Sequence, residues 1–257
     1  MRVLLESVRS LAAGLSLLSS LCASGVQSAE LPDLVQAIKP SVVVVGTYSK
    51  TRSPAFSMRG TGFVIGNGNQ IATNAHVVPE IIDSANGESL AVQTSASQLR
   101  LAKVVVRDRS HDLALLSIGG DPMPAMTLQN PARVREGQSI AFMGFPIGGV
   151  LGFSSVTHRG IISAITPIAL PSPTAQQLNE KVIKRLKEGS FEVYQLDGTA
   201  YPGNSGGPLV EIDSGEVIGI INMVFVKSTK ESVLSQPSGI SFAVPVRYLS
   251  DLMRNAE

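Results

Sequence analysis

From Pro40 onward the chain is written in short β-branched runs broken by glycine, with little of the apolar period of an amphipathic helix. An all-β fold is predicted. Residues 41–48 form one strand and 60–65 the next. Gly66-Asn67-Gly68-Asn69 then supplies the positive-φ positions of a hairpin turn before 70–73. Further runs fall at 90–94, 99–106 and 113–118. Over Asp121-Pro122-Met123-Pro124-Ala125-Met126 the alternation lapses and two prolines break strand pairing. Strands resume at 139–143, 155–165, 191–196, 208–212, 217–226 and 240–244. This pattern predicts two six-stranded antiparallel β-barrels, over 30–120 and 135–257, joined by a linker at 121–134.

Helices are few. Residues 31–38, with Pro32 in the first turn, form a short lead-in helix. An inserted surface helix opens on the capping box Thr174-Ala175-Gln176-Gln177, carries Leu178, Val182, Ile183 and Leu186 on one face, and ends at Gly189. A short C-terminal helix over 247–254 can pack Tyr248, Leu249 and Leu252 against a barrel.

The 257 residues suffice to bury one large core or two small ones. Lys+Arg number 21 against 20 for Asp+Glu, without a run of five like charges, so no nucleic-acid partner and no polybasic membrane patch are expected. Residues 1–29 differ from the rest: Arg2 and Arg9 precede the apolar run from Leu11 to Leu18, and small residues follow through Ala29. This is the pattern of an export signal peptide. Cleavage near Ala29 leaves a nearly neutral mature chain. A retained membrane anchor is the alternative, weakened by Ser16, Ser19, Ser20 and Ser24 and by an apolar core short of the ~20 residues of a spanning helix. Lipidation at Cys22 is disfavoured by the bulky Leu21 before it. Cys22 is the only cysteine, so the mature domain has no disulfide, which fits a bacterial periplasm better than an animal secretory route.

The chemistry centres on Gly203-Asn204-Ser205-Gly206-Gly207-Pro208. Taken only as G-x-S-x-G it matches the nucleophile elbow of α/β-hydrolases, whose base histidine follows the serine. Here His76, His111 and His158 all precede Ser205. A serine–histidine pair on Ser205 must therefore run His…Asp…Ser, the chain order of chymotrypsin-like proteases. A serine hydroxyl needs an adjacent base that a third group orients. His76, after the strand ending at Thr73-Asn74, is the candidate base; Asp112, before the apolar run 113–118, is the candidate orienter. Taken singly, His76 reads as a packed core histidine and Asp112 as a strand-entry carboxylate. Together and in this order they form a candidate triad. Glycine lets the chain turn tightly, and the amides of Gly203 and Ser205, flanking Asn204, can face a developing oxyanion.

Thr73-Asn74-Ala75-His76-Val77-Val78, residues 108–116 and residues 203–209 resemble the three catalytic blocks of the HtrA (DegP-like) branch of the trypsin-like serine proteases. Gly144-Phe145-Pro146-Ile147-Gly148, residues 156–163, Gln195-Leu196-Asp197-Gly198, Val217-Ile218-Gly219-Ile220 and residues 239–245 resemble framework strands of the same domain. The resemblance spans essentially all of 31–250. It implies an exported serine endopeptidase acting on proteins or peptides, with His76 as general base, Asp112 as orienter, Ser205 as nucleophile and the 203–205 amides as oxyanion hole. It also implies envelope protein quality control and a trimer formed through the segment before Ser41. In this fold the residue six before the nucleophile is the base of the primary specificity pocket. That residue is Thr199, with Ala200 and Asn222-Met223-Val224 as walls, so an apolar side chain before the cleaved bond is expected. Asp197 matches a family acid and is assigned a structural role in the serine loop. His111 is expected to point away from its neighbour Asp112, because residues alternate sides along an extended segment. His158 reads as a surface or satisfied histidine. No metal or cofactor is implied.

The chain departs from the family pattern twice. No peptide-binding PDZ module is expected after Pro245, and 167–189 is longer than usual, carrying Lys181, Lys184, Arg185 and Lys187 on its helix. That helix either covers a barrel edge, or gates the site or contacts a neighbouring subunit. The rival from another class is a catalytically silent or latent peptide-binding or chaperone module on the same fold.

Overall fold

A computed structural model describes residues 30–95, 97–130, 133–146, 153–167, 191–223 and 239–256. The N-terminal 29 residues, the helix expected after Thr174 and the pocket wall Val224 lie outside these.

Helix α1 (Leu31–Ile38) leads into twelve strands: β1 (Val42–Tyr48), β2 (Phe56–Ile65), β3 (Gln70–Asn74), β4 (Ser89–Gln93), β5 (Leu99–Asp108), β6 (Leu113–Ile118), β7 (Ser139–Gly144), β8 (Val156–Pro167), β9 (Glu192–Asp197), β10 (Pro208–Glu211), β11 (Val217–Asn222) and β12 (Ile240–Pro245). Helix α2 (Val246–Arg254) follows. The strands close two antiparallel barrels, ordered β1-β2-β3-β6-β5-β4 and β10-β11-β12-β9-β8-β7. Gly66 and Gly68 take φ of 60° and 86°, as the β2–β3 turn requires. Strand β2 begins four residues before the expected run: Phe56, Ser57 and Met58 pair with Tyr48, Thr47 and Gly46 of β1, Arg59 falls at a register shift, and half-buried Phe56 and Met58 alternate with exposed Ser57 and Arg59.

Each barrel encloses its own cluster, and a third cluster fills the seam between them. Val43 and Val45 of β1, Ala114, Leu116 and Ile118 of β6, and Val77 fill the first barrel. Ile140 and Phe142 of β7, with Ile162, Leu196, Leu209 and Ile221, fill the second. The alternate residues of the same strands, Val42 and Val44, Leu113 and Leu115, Ala141 and Met143, face the seam with Ile220, Val244, Leu249 and Leu252. Strands buried on both faces lose the apolar–polar alternation and read as continuous apolar runs. The segment after β6 is bonded to both barrels: Met126 N–H donates to Val64 O at 2.9 Å and Gln129 N–H to Val217 O at 2.9 Å.

Candidate active site

Strands β3 and β6 are antiparallel neighbours, with Asn74 opposite Leu113. The residues just past the end of β3 and just before β6 are therefore adjacent in space, although His76 and Asp112 are 36 positions apart. His76 sits in the 3-10 turn Ala75–Val77, held down by buried Ala75 and Val77. Its Nδ1 lies 2.6 Å from Asp112 Oδ2, and its backbone N–H donates to Asp112 Oδ1 at 2.9 Å. The Asp112 carbonyl accepts from Ala75 N–H and from Asn74 Nδ2, each at 3.0 Å. The carboxylate thus fixes Nδ1 as the protonated ring nitrogen and leaves Nε2 as the acceptor.

Ser205 is buried in the loop that enters β10 from the second barrel. Asn204 N–H donates to Tyr201 O at 2.9 Å, Pro202 holds the second position, and Gly203 has φ 105°. Together these make a type II turn. Thr61 Oγ1 donates to Gly203 O at 2.7 Å, so both polar groups of the 203–204 peptide are held. Two peptides further on, Thr61 N–H donates to Ser205 O at 2.9 Å and Gly206 N–H to Ile221 O at 2.9 Å. Asn204 O accepts from Gly207 N–H at 3.0 Å. Two amides, those of Gly203 and Ser205, are left without a protein acceptor among the described residues. Paired unsatisfied N–H groups of this kind can stabilise a developing oxyanion. The Ser205 hydroxyl accepts from Met223 N–H at 3.3 Å, and among the described residues no hydrogen bond joins it to His76.

Residues 60–220 match the trypsin-like peptidase domain family. The chain belongs to the trypsin-like peptidases. It is 33% identical over 193 residues to a probable periplasmic serine endoprotease DegP-like of Halomonas elongata, covering 75% of this chain and 34% of that protein. Identity to serine protease HTRA3 of Rattus norvegicus is 29% over 248 residues, covering 90% and 48% respectively. Among solved structures, the HtrA-type protease AlgW with a tripeptide superposes with a TM-score of 0.63 at 28% identity, covering 86% of this chain and 61% of AlgW. This peptidase spans about a third to a half of the length of those two curated relatives.

The remaining expected residues of this trypsin-like peptidase fall around the same loop. Thr199 is half-buried, and Ala200 packs into the second barrel. Met223 lies against that core and meets Ser205 through its backbone. Asn222, expected as a pocket wall, turns its amide to Asp112, with Nδ2 donating to Oδ2 at 2.7 Å. Asp197 ends β9 with an exposed side chain. His111 does face away from Asp112, but not because the segment is extended. Asp112 has φ 55°, and the preceding turn is capped by Asp108 Oδ1, which accepts from Ser110 N–H at 2.8 Å and His111 N–H at 3.2 Å. His111 Nδ1 lies 2.6 Å from Asp108 Oδ2, and its ring stacks on Tyr248.

Thr61 and Ser241 carry no motif signal, yet both position the loop. Ser241 Oγ accepts from Ala200 N–H at 2.8 Å and donates to Gly198 O at 2.7 Å. A threonine or serine inside a strand looks the same in sequence whether or not it meets a distant loop. Among the described residues no group of three or more His, Cys, Asp or Glu could hold a metal, and no helix is long and apolar enough to cross a membrane.

Proposed function

We propose that this chain is a serine endopeptidase that cleaves peptide bonds of proteins through an acyl-enzyme. The observation that carries the reading is the convergence of the Asp112-oriented His76 and the Ser205 loop, with its two open amides, at the junction of the barrels. His76 Nε2 takes the Ser205 proton as Oγ attacks the scissile carbonyl, and the new negative charge on that oxygen meets the Gly203 and Ser205 amides. His76 then returns the proton to the departing amine, and the C–N bond breaks. Water deprotonated by His76 next attacks the ester, releasing the carboxylate product and restoring the serine hydroxyl. Asp112 stabilises the imidazolium in both halves without itself gaining the proton.

Thr199 at the pocket base gives no carboxylate to pair with a basic side chain, so an apolar residue before the cleaved bond completes the reading. Relatives named periplasmic serine endoproteases support export to a bacterial envelope, and protein quality control there is part of the proposal. The signal peptide, the two-barrel division at 121–134 and a trimer through the segment before Ser41 belong to the same proposal. N-terminal sequencing of the exported protein and its sedimentation mass test the first and last of these.

A fluorophosphonate probe separates this reading from its rival. Labelling of wild type and none of Ser205→Ala is expected. The Met223 amide on Ser205 Oγ, in place of a bond to His76, favours a resting form that tightens on substrate, since catalytic hydrogen bonds are often loose without substrate. Folded wild type that neither labels nor hydrolyses peptides, with or without a peptide ligand, would sink the endopeptidase reading in favour of a binding module.

A further inference from the structure

The catalytic scheme leaves one histidine beside Ser205 unused. His158 lies on β8 opposite Phe142 of β7, and its ring stacks on Phe142 with centroids 4.6 Å apart and planes 13° from parallel. The Tyr201 ring is 6.1 Å away. From this seat His158 Nε2 accepts a hydrogen bond from Asn204 Nδ2 at 3.3 Å. Asn204 is wholly buried, and its Oδ1 has no hydrogen-bond partner among the described residues. That oxygen instead lies against Gly144, where a Cβ would approach it to 2.9 Å. Among the described residues, His158 is therefore the one side-chain anchor of the Asn204 amide.

We propose that His158 is a positioning residue for the serine loop: as a neutral imidazole it holds Asn204, and through Asn204 the Gly203 and Ser205 amides. The inference rests on the endopeptidase reading and deepens it. Asn204 is the residue between the two open amides, and its own N–H and carbonyl both belong to the loop's hydrogen bonds. His158 touches Asn204 at one end of the 201–204 turn and Tyr201 at the other. A displacement of ~1 Å in an oxyanion donor can cost on the order of 100-fold in rate, so a brace at this point bears on turnover more than on affinity.

The brace requires the neutral ring, because a protonated Nε2 has no lone pair to offer Asn204. Burial alone pushes His158 below the ordinary histidine range. Tyr201 faces the ring from the serine loop. The face of β7 beneath it carries Ile140 and Phe142, which do not titrate, and its β8 neighbour Arg159 lies on the other side of the strand.

Two measurements test the proposal. In the first, His158→Phe keeps the stack on Phe142 and removes the acceptor, while His158→Gln restores an acceptor that does not titrate. A ~3- to 30-fold fall in kcat for the folded Phe variant, with KM within about twofold and most of kcat recovered by Gln, is expected. Below the ordinary histidine range, wild type should lose a further ~3- to 30-fold in kcat that the Gln variant does not lose. Unchanged kcat in the Phe variant, or the same acid profile in wild type and the Gln variant, overturns the inference. The second is nitrogen NMR of histidine-labelled protein, which does not depend on turnover. His158 protonated on Nδ1 at neutral pH is expected, and protonation on Nε2 overturns the proposal even if His158→Phe fails to fold. Inactive wild type with the expected tautomer would sink the endopeptidase reading while leaving the His158–Asn204 brace standing.

Discussion

Asn222 Nδ2 donates to Asp112 Oδ2 at 2.7 Å, on the same carboxylate oxygen that His76 Nδ1 meets at 2.6 Å. Asn222 ends β11 of the second barrel, whereas Asp112 precedes β6 of the first. The carboxylate that meets His76 is thus itself held across the seam. Asn222→Ala is expected to cost about 1.5–3 kcal/mol of stability, as for a hydrogen bond to a charged group, and to lower kcat by roughly tenfold. Urea midpoints and steady-state kinetics measure both, and unchanged kcat would show that Asp112 needs no second holder.

Asp112→Asn keeps the shape of the orienter but removes its charge. The expected fall in kcat is about 10⁴-fold, because Nδ1 of His76 can then sit in the wrong tautomer. Fluorophosphonate labelling rates at neutral pH follow the same loss, and labelling at the wild-type rate would remove Asp112 from the scheme.

Thr61 Oγ1 donates to Gly203 O at 2.7 Å and accepts from Phe145 N–H at 3.1 Å. Thr61→Val preserves volume and leaves both buried backbone groups unpaired, a cost of about 2–5 kcal/mol. Thr61→Ser retains both bonds and should stay within about 1.5 kcal/mol of wild type. Equal denaturant midpoints for the two variants would contradict the assignment.

Gly206 has φ 85°, and a Cβ there would meet Thr61 O at 2.1 Å and Thr73 Oγ1 at 2.3 Å. Backbone strain and overpacking coincide, so Gly206→Ala should destabilise by about 2–5 kcal/mol. Gly87 has φ 72° with nothing near a built Cβ. Gly87→Ala should cost only the conformational part, about 1–2 kcal/mol, and thermal melts of the pair separate the two contributions.

Burial holds His158 below the ordinary value of 6.5. The unfolded chain therefore takes up its proton first as pH falls, and stability that is complete above that value is lost as pH drops from there towards the lower folded pKa. His158→Gln should flatten this part of the profile. Urea midpoints taken from pH 7.5 down to 5 decide it; parallel profiles for the two proteins would place the ring in water.

The proposed pocket base at Thr199 predicts the cleavage specificity. In a peptide library, cuts after small-to-medium apolar residues such as Val, Ala or Ile are expected. Rapid cleavage after Arg with none after these would remove Thr199 from the pocket base.

The positions of the strands were legible because their β-branched runs and glycine breaks are local features. The triad candidates were legible for a different reason: chain order alone excluded a base after Ser205. Asn222 was not legible as a partner of Asp112, nor His158 as a partner of Asn204. Both lie on strands whose sequence marks burial but does not say which distant loop lies over them. His111 was expected to face away on the grounds of extended backbone, yet the Asp108 cap and the positive φ of Asp112 produce that orientation.

By itself, then, the sequence determined that the chain folds as paired strands, where the glycines permit sharp turns, and in which order the candidate base, orienter and nucleophile occur. Period-two patterning fixes which residues share a face of a strand. It does not say what that face meets. Closure of both barrels and their packing along Val42, Val44, Leu115 and Met143 decided that. Through that seam Thr61 reaches Gly203 and Asn222 reaches Asp112, contacts made only once the two barrels are folded and docked.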